Sequence, residues 1–148
     1  MSGRRTKASL RWGVAWLLLS LAFAVHIADE ALNDFLAVYN PIAAGVRERW
    51  PLLVLPTFTF GVWITLLLFA LATLFVLSPL AFQGGRWMRP LSYAYAIVML
   101  GNGFMHLLGS IYFGRVLPGS YSSPLLIAAA LFLLIVVAGG RSRPSAAS

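Results

Sequence analysis

Both histidines of the chain lie in short polar clusters that interrupt long apolar segments. His26 is followed three and four residues later by Asp29 and Glu30, and Asn102 and His106 lie four residues apart in another segment. Two histidines and one or two carboxylates could hold a divalent metal ion with an open position for water. Without a metal, the same groups could serve as general base and acid. Ionisable groups among apolar residues are costly, so these clusters form the candidate site.

The composition indicates a membrane protein. Of the 148 residues, 60% are hydrophobic and 10% are charged, whereas a soluble domain has about 25% charged residues. The chain contains no cysteine, which excludes disulfides, thiolate metal sites and cysteine catalysis. The net charge of +7 does not indicate nucleic-acid binding, because the basic residues lie in tails and short loops. Membrane lipid is the expected partner.

Charge-free segments predict an all-α polytopic membrane protein, a bundle of four transmembrane helices. A helix needs about 20 apolar residues to cross a bilayer, and backbone groups in lipid must be paired internally, which favours helices over strands. We place the spans at residues 12–32, 57–78, 90–112 and 124–140. This transmembrane domain, 12–140, lies between a basic N-terminal tail, 1–11, and a C-terminal tail expected to be disordered, 141–148.

Prolines and tryptophans refine the ends of these spans. Pro90 and Pro124 suit the first turn of a helix, where a missing N–H costs nothing, and Pro79 is expected in the loop after the second span. Residues 42–50 are expected to form a short helix along the outer surface. Tryptophans near the span ends are expected to be interfacial anchors: Trp12, Trp16, Trp50 and Trp87.

The distribution of lysine and arginine predicts the orientation. Eight of these residues fall in the two tails and the 79–89 loop, and three, Arg47, Arg49 and Arg115, fall on the other side. In membrane proteins, lysine and arginine are more frequent in cytoplasmic loops than in loops on the other side of the membrane. We therefore expect a multi-pass protein of the cell membrane with both termini cytoplasmic.

A secretory signal is the competing interpretation of the N-terminal segment. The sequence Ala22-Phe23-Ala24 resembles a cleavage site, and cleavage there would leave three spans. The apolar run continues to Ala28 and is longer than the roughly 7–15 residues of a signal core. That length favours a retained first span.

Helical phase and depth predict that the two clusters meet. His26, Asp29 and Glu30 form one helical stripe, and Asn102 and His106 share a face. The first and third spans run in the same direction. At about 1.5 Å per residue, both clusters lie roughly 18–24 Å from the cytoplasmic boundary, in the outer half of the bilayer. A shared site between these helices is therefore expected.

The order of these motifs resembles the HXXEE-domain family of small bacterial membrane proteins. The chain has H-x-x-D-E in the first span, N-x-x-x-H in the third, and the turn Pro118-Gly119 before the last. It departs from the family at Asp29, where a first glutamate is usual, and at Val116, where a tyrosine is usual. The shorter Asp29 side chain argues against bidentate metal binding there. The resemblance supports the site without naming a reaction.

The outer loop after the third span follows His106 directly and could cover the site. Its Arg115 could bind a lipid phosphate or the carboxylates, although a solvated loop is the simpler and favoured interpretation. Ser122 and Ser123 are nucleophiles only in principle, because no known nucleophile signature surrounds them.

Three hypotheses for the function follow. The first is a membrane-embedded hydrolase or transferase acting on a lipid or lipid-linked substrate. In it, His26, Glu30 and His106 bind a divalent metal such as zinc or exchange protons, supported by Asp29 and Asn102. The second is a small transporter or proton-relay subunit, which would require a homo-oligomer to form a pathway. The third is a structural assembly partner whose polar cluster fixes helix register.

Overall fold

The computed structural model describes the backbone of residues 2–139 and the side chains from Lys7 onward. The expected all-α class is confirmed for these residues, which contain no strand. The predicted disordered tail, 141–148, lies outside the described residues. The helices are α1 (Ser2–Leu32), α2 (Phe35–Arg49), α3 (Phe60–Gln83), α4 (Met88–Phe113) and α5 (Ser123–Gly139).

Three helices within the described chain are long and apolar enough to cross a membrane. They are Lys7–Leu32 within α1, then α3, then α4. Within the described residues, helix α5 is apolar and has 17 residues, short of the roughly 20 that span a hydrocarbon core. Length and composition therefore support three of the four predicted spans. Only 6% of the apolar window of α3 is buried, so this helix exposes its hydrophobic surface.

Two helix ends differ from the sequence-based expectation. Helix α1 begins at Ser2, so the residues predicted as an N-terminal tail are helical from that position. Helix α3 continues through Pro79, which was expected in a loop, and ends at Gln83. Proline removes one helical hydrogen bond without preventing the last turn from forming. Gly84 then ends the helix with φ 71°, a left-handed conformation that glycine adopts without strain.

One face of α1 is buried from its apolar part into its polar end. The side chains on this face recur every three or four residues, as helical geometry requires: Trp12, Trp16, Leu19, Phe23, His26 and Glu30. Helix α1 packs mainly against α3 and α5, and α4 packs against α5. The face that forms the hydrophobic core therefore also carries His26 and Glu30 into the interior.

Two tryptophans expected as interfacial anchors belong to this core instead. Trp12 and Trp16 are 8% and 0% exposed. Each indole N–H has a partner on another helix, because Trp12 donates to the Ser92 hydroxyl at 2.9 Å and Trp16 donates to the Leu74 carbonyl at 2.9 Å. These bonds satisfy the polar group that burial would otherwise leave unpaired.

The short helix predicted at 42–50 is the second half of helix α2, which begins earlier, at Phe35, and ends at Arg49. The turn before it passes through Asp34, which has φ 56°. The Asn40 side chain holds α2 against the segment before α3. Its amide donates to the Phe58 carbonyl at 2.9 Å, and its oxygen accepts from the Phe58 N–H at 3.0 Å. This pairing satisfies both backbone groups of Phe58.

Candidate metal centre

His26, Glu30 and His106 meet at one point in the interior. Glu30 Oε1 lies 3.6 Å from His26 Nε2 and 3.0 Å from His106 Nε2. The two imidazole rings stand edge to face with centroids 4.8 Å apart. One ligand atom from each of the three residues lies within 4.8 Å of the others. His26 is fully buried, and the side chains of Glu30 and His106 are 6% and 10% exposed.

The tautomer of His106 follows from the partner of its other nitrogen. His106 Nδ1 lies 2.6 Å from the Pro118 carbonyl oxygen. A carbonyl can only accept a hydrogen bond, so Nδ1 carries the proton. The lone pair of the neutral ring is therefore on Nε2, the nitrogen that faces Glu30.

The tautomer of His26 follows from a network around Asp29. The Asp29 carboxylate accepts bonds from the Ser122 hydroxyl at 2.7 Å, the Ser122 N–H at 2.8 Å and the Asn33 amide at 2.8 Å. The Ser122 hydroxyl has one proton, which it gives to this carboxylate. Its oxygen therefore accepts from His26 Nδ1 at 2.8 Å. His26, like His106, presents the Nε2 lone pair to the interior.

This arrangement brings three acceptors together with no donor among them. His26 Nε2 is the one fully buried side-chain nitrogen or oxygen of the described residues that lacks a hydrogen-bond partner. Burying such an atom without a partner costs about 1–3 kcal/mol. Two imidazole lone pairs aimed at a carboxylate need a shared proton or a cation. A divalent cation would satisfy all three groups at once, so these residues fit a metal.

Gly119 allows the two rings to pack against the loop that precedes α5. A Cβ atom at this position would lie 2.7 Å from His106 Cε1 and Nδ1 and 3.0 Å from His26 Cε1. Its φ of +84° is also a conformation that side chains disfavour. Only glycine fits here, and its absence of a side chain lets the Pro118 carbonyl reach His106.

An apolar pocket of about 310 Å³ opens beside the cluster. Glu30, Asn102 and His106 supply its polar wall. Its other walls come from α1, α2, α3 and the segment before α3, and they are aromatic or aliphatic: Phe23, Phe35, Tyr39, Phe58, Trp63, Leu66 and Leu67. A pocket of this size with few polar groups suits a small or chain-like apolar ligand.

The structure brings together the residues that the two sequence motifs singled out. His26, Glu30 and His106 form the cluster, and Asn102 lines the pocket with the last two. Asp29 instead points to Ser122 and is absent from the ligand group. Arg115 is exposed and lines a second pocket with Asn33 and Asp34, apart from the pocket of Glu30. The roles assigned to all these residues stay predictions.

Sequence reasoning expected that the loop between α4 and α5 could cover the site, but it did not identify the contacts that this loop makes with the two histidines. Ser122 contacts His26 through its hydroxyl, while Pro118 contributes only a backbone carbonyl. No nucleophile or metal motif surrounds either residue, so no sequence signal assigned them to the cluster. The sequence identifies the Pro118-Gly119 turn only as part of a family pattern.

Comparison with known proteins places these motifs in one family. The family described as "Protein of unknown function with HXXEE motif" matches residues 16–134. No curated protein and no solved structure matches the chain. The matched region contains the helical stripe of His26, Glu30 and the second cluster with His106. The chain belongs to the HXXEE family.

Proposed function

We propose that this protein is a membrane-embedded, metal-dependent hydrolase or transferase that acts on a lipid or lipid-linked substrate. His26 Nε2, His106 Nε2 and one oxygen of Glu30 would hold a divalent cation, with zinc the best fit. The observation that supports this most directly is the convergence of two buried imidazole lone pairs on one carboxylate oxygen.

The donor set and its surroundings suit such an ion. Two histidines and one carboxylate leave a position open for water or substrate on zinc. Metal-binding histidines usually donate the other ring N–H to a carboxylate, a carbonyl or a water, which orients the ring. Here His106 donates to the Pro118 carbonyl and His26 donates to a serine hydroxyl that is bonded to Asp29. Both rings are therefore held in the orientation that ligation needs.

A bound divalent cation would activate water and polarise a carbonyl or phosphoryl oxygen. The residues of the chain supply the rest. Asn102 stands on the pocket wall next to Glu30 and His106, where its amide can donate to a substrate oxygen. The aromatic walls bind the apolar part of the substrate and exclude water, which strengthens every electrostatic contact inside. A substrate with one polar group on an apolar chain fits this division.

The membrane topology completes the proposal. Helices α1, α3 and α4, together with the shorter α5, would cross the membrane with both termini in the cytoplasm. Helix α2 and the loop before α5 would then lie on the outer side, close to the cluster. Substrate would reach the pocket from the outer leaflet.

A proton relay is the second candidate, because a specific contact favours it. His106 Nε2 and Glu30 Oε1 are 3.0 Å apart, which in the absence of a cation requires a proton between them. The chain of contacts extends through His26 and Ser122 to Asp29, which is partly exposed. Such a chain could move protons between the interior and the surface. It would function without metal.

Metal analysis of the purified protein separates these candidates. The full-length protein in detergent is loaded with Zn²⁺ and dialysed, and its metal content is measured by elemental mass spectrometry. The affinity of the metal-free protein for Zn²⁺ is measured by calorimetric titration. We expect about one ion per chain in wild type and much less in the His26→Ala, Glu30→Gln and His106→Ala variants. Asp34→Asn is the matched control, because it removes a nearby carboxylate that lies outside the cluster and should bind like wild type.

Each outcome has a clear consequence. Wild type that binds neither Zn²⁺ nor another divalent ion eliminates the metal centre and leaves the relay. Equal binding by wild type and all three cluster variants places any ion elsewhere. Variants that lose only thermal stability, in a protein without metal or proton movement, would favour a structural assembly partner.

A further inference from the structure

We propose that Ser122 and Asp29 are positioning residues that fix the tautomer of His26 and so aim its Nε2 lone pair at Glu30. The part of this inference that concerns metal affinity rests on the proposed function. The part that concerns the tautomer stands on the hydrogen bonds alone.

The donors around Asp29 decide the direction of the whole network. Its two oxygens accept three bonds, from the Ser122 hydroxyl, the Ser122 N–H and the Asn33 amide. A second acceptor, the Gly119 carbonyl, lies 3.1 Å from the same hydroxyl. Whichever of the two acceptors receives the hydroxyl proton, the oxygen of Ser122 has only lone pairs left for His26. The His26 Nδ1 must then be the donor across the 2.8 Å contact.

The two carboxylates of the H-x-x-D-E motif therefore have different partners and different roles. Glu30 follows His26 by four residues and reaches the same point as the two Nε2 atoms. Asp29 follows by three residues and turns instead toward the loop before α5. It holds that loop against α1 and acts on His26 through Ser122. A carboxylate one methylene shorter therefore serves at this position, because Asp29 lies outside the group that would hold a metal.

Only one of two adjacent serines at the end of the loop contacts His26. Ser122 and Ser123 are neighbours, and both are buried. Only Ser122 contacts His26, whereas the Ser123 hydroxyl donates to the Gly119 carbonyl at 2.7 Å. Two adjacent serines with different partners provide a matched pair for testing. Removing the Ser123 hydroxyl costs its bond to the Gly119 carbonyl. Removing the Ser122 hydroxyl costs its bond to Asp29 and its contact with the His26 imidazole.

Nitrogen NMR of the metal-free protein tests the tautomer directly. The chain contains two histidines, so the protein labelled with ¹⁵N-histidine shows two rings, which a His106→Ala sample assigns. We expect wild-type His26 to be the Nδ1–H form. Ser122→Ala should shift His26 toward the Nε2–H form, while Ser123→Ala should leave it unchanged. Ser122→Thr keeps the hydroxyl and should restore the wild-type spectrum.

Asp29 provides a second, independent variant. In Asp29→Asn the amide can donate to the Ser122 oxygen, so the hydroxyl proton is shared between the Gly119 carbonyl and His26. The bond to His26 is then reversed in part of the molecules. We expect this variant to populate the Nε2–H form, and Asp29→Glu to retain Nδ1–H. Zn²⁺ affinity should fall about 10–100-fold in Ser122→Ala and Asp29→Asn, the usual cost of losing the partner of a metal-binding histidine.

The proposal is overturned if Ser122→Ala and Asp29→Asn both keep His26 in the Nδ1–H form. It is also overturned if Ser123→Ala changes the tautomer as much as Ser122→Ala does, because the effect would then be general loosening of the loop. Wild type that binds no metal would defeat the proposed function while leaving the tautomer result interpretable. A protein that binds metal with His26 in the other tautomer would defeat this inference alone.

Discussion

Glu30 Oε1 and His106 Nε2 lie 3.0 Å apart, although the two residues belong to α1 and α4. The Pro118 carbonyl accepts from the other nitrogen of this histidine, so both atoms of the contact are acceptors when the imidazole is neutral, the carboxylate is ionised and no metal is bound. A proton or a cation must therefore stand between them. The identity of that positive charge decides between the metal centre and the relay.

Glu30→Gln should separate stability from metal binding. The glutamine amide is a donor that can satisfy the His106 lone pair without any cation. Polar contacts within membranes contribute about 0.6 kcal/mol on average and at most about 1.7 kcal/mol, so the metal-free variant should melt close to wild type. Zn²⁺ should raise the melting temperature of wild type, because a ligand at 100 times its Kd adds about 2.7 kcal/mol. It should leave the melting temperature of Glu30→Gln nearly unchanged.

Thermal melts in detergent with and without Zn²⁺ measure this difference. Equal Zn²⁺-dependent shifts in both proteins would show that Glu30 is not a ligand. A metal-free variant far less stable than wild type would instead indicate that the carboxylate itself holds α1 and α4 together.

Gly119→Ala should disable the site from the loop side. The new Cβ would lie 2.7 Å from His106 Cε1 and Nδ1, and the backbone has φ +84°. A left-handed conformation costs roughly 1–2 kcal/mol for a residue with a side chain. We expect lower thermal stability and weaker Zn²⁺ binding. Gly45→Ala is the control, because nothing lies within 4 Å of the added Cβ in helix α2, and it should be neutral or slightly stabilising.

The same Zn²⁺ titration and thermal melt measure both glycine variants. A Gly119→Ala protein with wild-type affinity would mean that the loop can shift without disturbing either histidine. That result would also weaken the role given to Pro118 in orienting His106.

Reporter fusions should give the orientation expected from charge. A fusion after Arg47 or Arg115 should report the outer side, and a fusion after Arg86 should report the cytoplasm, because the side with eight basic residues stays inside. The opposite pattern, or a mature protein that begins at Val25, would overturn the topology with four spans.

The polar stripe was predictable from sequence because it depends only on helical periodicity. His26 and Glu30 are four residues apart, and Asn102 and His106 repeat that spacing, so each pair had to share a helix face. Their meeting across two helices was expected because each pair shares a face and because both were predicted at comparable depth. The part of the site that follows from local helical geometry could therefore be predicted from the sequence.

The loop contacts and the two buried tryptophans were not predictable in this way. Ser122 reaches His26 across 96 positions of sequence, and no periodicity encodes such a contact. Trp12 was expected at the interface because tryptophan favours that region. The structure instead pairs its N–H with Ser92 on α4, so a tertiary contact overrides the general preference. Helix α3 also continues through Pro79, because proline weakens a helix locally without always ending it.

Asn40→Ala should loosen the cover of the apolar pocket while sparing the metal centre. Asn40 makes two bonds to the backbone of Phe58, which lines the pocket together with Phe35 and Tyr39 of α2. Alanine removes both bonds, so the Phe58 N–H and carbonyl must find water. Helix α2 then loses two of its hydrogen bonds to the segment before α3, while the bond from the Tyr39 hydroxyl to the Pro56 carbonyl remains. Hydrogen–deuterium exchange should become faster in peptides covering 35–58, while Zn²⁺ binding should stay at the wild-type level.

Thr73→Val is the control, because the hydroxyl of Thr73 bonds only within its own helix, to the Phe69 carbonyl. Unchanged exchange over 35–58 would show that packing and the bond from Tyr39 to Pro56 are enough to hold α2. A loss of Zn²⁺ binding would show that the cover of the pocket and the metal centre unfold together.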